Sequence, residues 1–215
     1  MRLPPARATY AIAAITALAW AVAAAAQQTD TVAVLAGFVP ARFSEVVGMP
    51  PGAVPAALTP FTATLVHGGL IHLAFNLLIL TFCGRLVEAS VGPACLVLLY
   101  LVGAYAAAGA EYLAAPHSFV PMIGASGAAS AVIGAYALLY GRRQVKGWGP
   151  ISGQILHVAW LAAAWIGLQL LVGFASAGMP GVPVGGAIAV PAHIGGFLAG
   201  LALARPLLLF RYRSA

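Results

Sequence analysis

Residues 121–136 read PMIGASGAASAVIGAY. A serine, Ser126, stands with Gly124 and Gly127 on either side at the start of an apolar run. Hydroxyls are common in membrane helices, so the meaning of Ser126 depends on the polar groups that the rest of the chain can bring to it. That rest is lipid-like. Of 215 residues, 62% are hydrophobic and 7% charged, against about 25% charged in a soluble domain. Backbone groups in lipid must be paired internally, which leaves helices or a closed barrel. The apolar runs here are long and do not alternate, which selects helices.

Six apolar segments approach the ~20 residues needed to cross a bilayer: about 8–26, 66–86, 92–112, 124–141, 153–174 and 191–210. The long outer loop 27–65 contains VGMPPGAVPAALTP and is too broken by Pro and Gly for a span. The expectation is an all-α membrane protein, a bundle of six transmembrane helices forming a single domain over 1–215. With the N-terminus inside, Arg2, Arg7, Arg85, Arg142, Arg143, Lys146, Arg205, Arg211 and Arg213 all face the cytoplasm. Only Arg42 falls outside, so the positive-inside bias supports six spans and cytoplasmic termini. The net charge of +6 therefore reports topology, and nucleic acid is not an expected partner. The first segment also has the layout of a signal peptide. Its apolar run exceeds the usual core of about 7–15 residues, which favours a retained helix. Cys83 and Cys95 lack metal-ligand spacing and read as small packing residues.

Strongly polar side chains inside spans are rare and informative. The second segment reads HGGLIHLAFN, and His72 and Asn76, four apart, share a helical face. His67 lies at the outer mouth of the same helix, and the last span opens AHIGGFLAG with His193 near its start. Counting from the basic anchors at ~1.5 Å per residue, Ser126, His72 and His193 fall in one layer beneath the outer surface. Gly196 and Gly200 form a GxxxG pair on the His193 face, and Gly127, Ala131 and Gly134 follow Ser126. Small residues at that spacing let transmembrane backbones touch. If the fourth and sixth spans pack there, His193 reaches Ser126.

A serine hydroxyl needs a base to become a nucleophile, and histidine is the usual base near neutral pH. Of the four acids, Asp30 and Glu45 lie in the outer loop and Glu88 near the inner face. Glu111, ending the third span, is alone near the layer. The reading is thus a Ser126–His193 dyad. Attack on a carbonyl also needs donors for the oxyanion; His72, Asn76 and the Ser126 N–H are suitable. Gly124 and Gly127 would let the backbone turn and a substrate strand approach.

HGGLIHLAFN, GASG and AHIGGFLAG, in this order and on these spans, resemble the motifs of a rhomboid intramembrane serine protease of the basic six-helix bacterial form. The resemblance implies Ser126 as nucleophile and His193 as general base. It implies His72, Asn76 and the Ser126 N–H as oxyanion hole; beside these, His67 reads as a structural histidine at the outer mouth rather than a reacting group, supporting the site with Gly124 and Gly127. It implies transmembrane protein substrates and contact with membrane lipids in a bacterial inner membrane, with no cofactor and no metal. Two departures stand out. Family members often carry a tyrosine four residues after the nucleophile, where this chain has Ser130, so other packing must hold His193. The first loop, with VPARFSEVVG, lacks a common Trp-Arg pair. A non-proteolytic rhomboid-like binder of membrane helices and a small transporter are the alternatives, and a metal or haem protein would leave Ser126 unexplained. His117 and His157 are not expected to take part in catalysis. Glu88 with Arg85 is expected to anchor the inner end of the second helix, and segment 178–191 to serve as a lid.

Overall fold

The computed structural model describes residues 5–44, 48–140, 146–176 and 189–213. Among them the elements in chain order are α1 (Arg7–Ala25), α2 (Thr29–Ala36), α3 (Ala41–Ser44), α4 (Thr59–Thr62), α5 (Leu70–Val91), α6 (Pro93–Ala114), α7 (Ser126–Tyr140), α8 (Gly153–Ser176) and α9 (Val190–Tyr212). The chain is an all-helical membrane bundle. By length and composition, α1, α5, α6 and α9 are long enough to cross a bilayer, while α7 and the 153–168 part of α8 are shorter apolar helices. Segment 27–65 forms short helices and turns rather than a span.

At 15 residues, α7 is about 22 Å long, short of the ~30 Å hydrocarbon core. Eleven of those residues are buried, so α7 is the axis of the bundle and its length is set by its neighbours rather than by lipid. It is surrounded by α5, α6 and α9, while α8 touches it more lightly.

Small residues make this packing possible. A methyl on Gly134 would meet the Phe197 carbonyl, one on Gly196 the Gly127 carbonyl, and one on Gly200 the Ala131 carbonyl. The α7 and α9 backbones are thus in direct contact along two turns. On α6, Gly103 faces Ala131, and a methyl on Gly127 would come within 2.6 Å of Ala107 Cβ. Gly127 therefore serves helix packing rather than substrate approach.

The opposite end of the bundle is tied by Glu88. Its buried carboxylate accepts from the backbone N–H groups of Ala8 (3.0 Å) and Thr9 (2.8 Å) and from the Thr9 hydroxyl (2.7 Å). These are unpaired first-turn donors of α1, where negative charge also meets the positive end of the helix dipole. Arg211 Nη1 donates to the carbonyls of Glu88 (3.2 Å) and Ala89 (2.7 Å). The expectation that Glu88 works with Arg85 is corrected on this point. The carboxylate fastens α1 to α5, because three convergent donors on a neighbouring helix satisfy it better than one flexible side chain on its own. Between α5 and α6, Gly92 sits at φ +86° and Pro93 opens the next helix, so the reversal takes a single residue.

Gly200→Ala is expected to push α9 off the Ala131 carbonyl and cost about 1–3 kcal/mol. Gly109→Ala, with nothing within 4 Å of the added methyl, is expected to leave stability unchanged. Thermal unfolding of both variants in detergent checks the contrast.

Candidate active site

Ser126 is the first residue of α7, and the strand leading to it is held at several points. Phe38 and Met122 exchange backbone hydrogen bonds (3.0 and 2.7 Å), the Gly124 N–H donates to the Ala63 carbonyl (2.9 Å), and the Ala41 N–H donates to Ser118 (3.0 Å). The Ala125 N–H donates to His67 Nε2 (3.3 Å), and His67 is fully buried. His67 is thus engaged with the backbone next to Ser126. The composition of loop 27–65 carried no sign that it would grip this strand. That contact becomes visible only when the loop folds over the bundle.

Gly124 adopts φ +108°, a left-handed conformation that strongly favours glycine. A methyl there would also lie 2.6 Å from His72 Nε2 and 3.7 Å from Asn76 Nδ2. The space beside Gly124 is therefore filled by His72, not left open for a substrate strand. The His72 ring meets that of His67 edge-on at 5.0 Å. Asn76 is buried and spends one amide hydrogen on the His72 carbonyl at 3.0 Å. The Asn76 amide nitrogen and the His72 ring nitrogen both lie beside Gly124, two residues before the first turn of α7, whose N–H groups have no partner within the helix. Such a region suits a developing negative charge.

His193 lies in the first turn of α9. Its Nε2 is 2.8 Å from Ser126 Oγ, with Ser126 8% and His193 4% exposed. For the hydroxyl to donate, the neutral ring must carry its proton on Nδ1. That Nδ1 is buried with no hydrogen-bond partner among the described residues, so no described carboxylate completes a triad. Glu111 ends α6 without reaching this nitrogen. Beside His193 stands the indole of Trp165 from α8, ring centroids 6.1 Å apart. Trp165 Nε1–H donates to Ser130 Oγ (2.6 Å), and Ser130 donates to the Ser126 carbonyl (2.8 Å). Sequence reading missed Trp165. A tryptophan in the middle of the fifth segment was the available signal, but only tertiary packing relates it to His193.

The remaining candidates lie elsewhere. His117 is in the loop before Ser126. His157 is near the start of α8, at the end of the bundle away from Ser126. Among the described residues no group of three His, Cys, Asp or Glu side chains could hold a metal ion, and Cys83 and Cys95 are free and buried. The lid assigned to 178–191 falls almost wholly outside the described residues.

Residues 56–210, from the turn before α4 into the last turn of α9, match the family model described as the Rhomboid domain. The chain belongs to the rhomboid family. No curated protein matches it. Rhomboids are typically intramembrane serine proteases, although inactive members exist. The matched region of this rhomboid contains every residue of the cluster around Ser126, whereas α1 and the clamp residues Phe38 and Ala41 precede it.

Gly124→Ala combines an unfavourable backbone conformation with a collision against His72. It is expected to slow Ser126 labelling by a fluorophosphonate about 100-fold, the scale of a ~1 Å misplacement of reacting groups. Labelling rates of purified wild type and variant check this.

Proposed function

We propose that this rhomboid is an intramembrane serine endopeptidase that hydrolyses peptide bonds in or near transmembrane segments of other membrane proteins. The observation that carries the reading is the 2.8 Å contact between Ser126 Oγ and His193 Nε2 from two different helices. A hydroxyl against an unprotonated imidazole nitrogen is the arrangement that nucleophilic attack requires. Ser126 Oγ attacks the scissile carbonyl carbon while its proton passes to His193 Nε2. The carbonyl oxygen becomes an oxyanion that accepts from the Asn76 amide, the His72 ring and the Ser126 N–H. The C–N bond then breaks, and His193 returns the proton to the leaving amine. Water, deprotonated by the same ring, hydrolyses the acyl-enzyme. These steps call on side chains and backbone donors of this chain alone.

The domain is read as one unit, with six spans and both termini on the cytoplasmic side of a bacterial inner membrane. The basic residues near the end opposite Ser126 support that orientation. Membrane-protein substrates and surrounding lipid are its proposed partners.

Cleavage of a transmembrane substrate in liposomes tests the reading. Ser126→Ala and His193→Ala are expected to abolish it, and Asn76→Ala to lower kcat about 10²–10³-fold through loss of an oxyanion donor. Ser126→Ala cutting as fast as wild type would refute the assignment. The base must be neutral to accept a proton. The cleavage rate is therefore expected to fall as decreasing pH protonates His193, and a rate–pH profile flat through the acid range would remove histidine from the role.

A further inference from the structure

We infer that Trp165 is a positioning residue for His193, holding the imidazole in the pose from which Nε2 meets Ser126. This rests on the Ser126–His193 reading and adds to it a means of orienting a ring whose Nδ1 has no hydrogen-bond partner among the described residues.

A catalytic imidazole is ordinarily oriented by a hydrogen bond to its second nitrogen. Here Nδ1 has no partner among the described residues. A ring anchored through one nitrogen can pivot about that contact, so the restraint must come from packing. The aromatic group in position to supply it is Trp165, with centroids 6.1 Å apart and planes inclined at 58°. The indole is itself immobilised. It is 6% exposed, and its N–H is fixed on Ser130 Oγ at 2.6 Å. Ser130 in turn donates to the carbonyl of Ser126 at 2.8 Å. The contacts close a circuit: the Ser126 hydroxyl, His193, Trp165, Ser130 and back to the Ser126 carbonyl. Three helices, α7, α8 and α9, each contribute to it.

The size and chemistry of Ser130 fit this arrangement. It is buried where α7 meets Gly196 of α9, and its Cβ is 3.2 Å from where a Gly196 methyl would sit. A small side chain leaves the flank of His193 to the indole, and a hydroxyl offers both the acceptor that Trp165 needs and the donor that ties the pair to Ser126. The packing of α8 points the same way. Trp165 is the one buried side chain among those of α8 whose burial is described, while Ile155 and Trp160 of the same helix are 60% and 67% exposed. Val158, Leu161 and Leu168 pack part-buried against the core, and the fully inserted Trp165 stands beside the base.

The test has a kinetic arm and a contact arm. Trp165→Ala is expected to lower kcat for a transmembrane substrate about 10–100-fold, the scale set by misorientation of a reacting group. KM should stay within about twofold, and fluorophosphonate labelling of Ser126 should slow in parallel. Trp165→Phe keeps a ring without the N–H and is expected to stay within about fivefold of wild type, as is Ser130→Ala, which keeps the indole but not its anchor. Thermal midpoints identify a variant that fails to fold, and Trp165→Leu, which fills space without a ring and is expected to show the same loss of kcat, then carries the comparison. In the contact arm, Trp20, Trp148 and Trp160 are replaced by Phe, leaving Trp165 as the sole emitter. Its fluorescence is expected to fall as acid protonates the neighbouring imidazole, and His193→Ala should abolish that response. Unchanged kcat and labelling in folded Trp165→Ala, or a pH response that survives His193→Ala, overturns the proposal. Failure of the underlying dyad has a different signature: Ser126→Ala cleaves like wild type while the Trp165 emission still answers to His193. That result overturns both readings and leaves only the contact.

Discussion

Everything at the candidate site depends on the missing side chains where α7 meets α9. Gly134, Gly196 and Gly200 leave room for the carbonyls of Phe197, Gly127 and Ala131 on the facing helix. In lipid there is little hydrophobic drive between helices, so close van der Waals packing has to hold them together. Gly196 lies one turn after His193, and its contact is the carbonyl of the residue that follows Ser126. Backbone contact at that point leaves a hydroxyl and an imidazole only one hydrogen bond apart. Wider helix spacing would put the same residues out of reach without changing either of them.

A second constraint acts on the backbone rather than on the pair. The strand before α7 is pinned by Phe38, Ala41, Ala63 and His67. Two histidines five residues apart in one motif thereby take different tasks. His67 spends Nε2 on the Ala125 N–H, while His72 presents its ring nitrogen beside Gly124. Preorganised donors are effective because they need no rearrangement when charge develops. Anchoring the strand from several directions is how a loop supplies such rigidity.

The arrangement around His193 reflects the cost of charge in a buried site. A carboxylate on Nδ1 would orient the ring but would need desolvation and full hydrogen bonding of its own. An indole orients by bulk and buries apolar surface at the same time, and its single polar atom is satisfied by Ser130. Glu88, the one buried acid among the described residues, is placed at the other end of the bundle, where three donors of α1 surround it. Glu88 thus fastens one helix to another, while Glu111, near the end of α6, hydrogen-bonds the Ala192 backbone and leaves His193 Nδ1 without a partner among the described residues.

The sequence by itself determined that this is a helical membrane protein of the rhomboid family. Low charge and unbroken apolar runs leave a chain in lipid no other way to pair its backbone, and the motifs around His67, Ser126 and His193 recur in a set order. It also indicated that glycine faces on two helices could meet, because period and residue size are local properties. Only tertiary structure decided what those faces meet. Glu88 serves α1 rather than Arg85, Gly127 packs on Ala107 rather than clearing a path, and the loop 27–65 closes on the strand before Ser126. Trp165 on α8 comes to stand beside His193 for the same reason. Each of these contacts joins residues tens of positions apart, and it is set by how close the helices come and how they rotate, which no local spacing encodes.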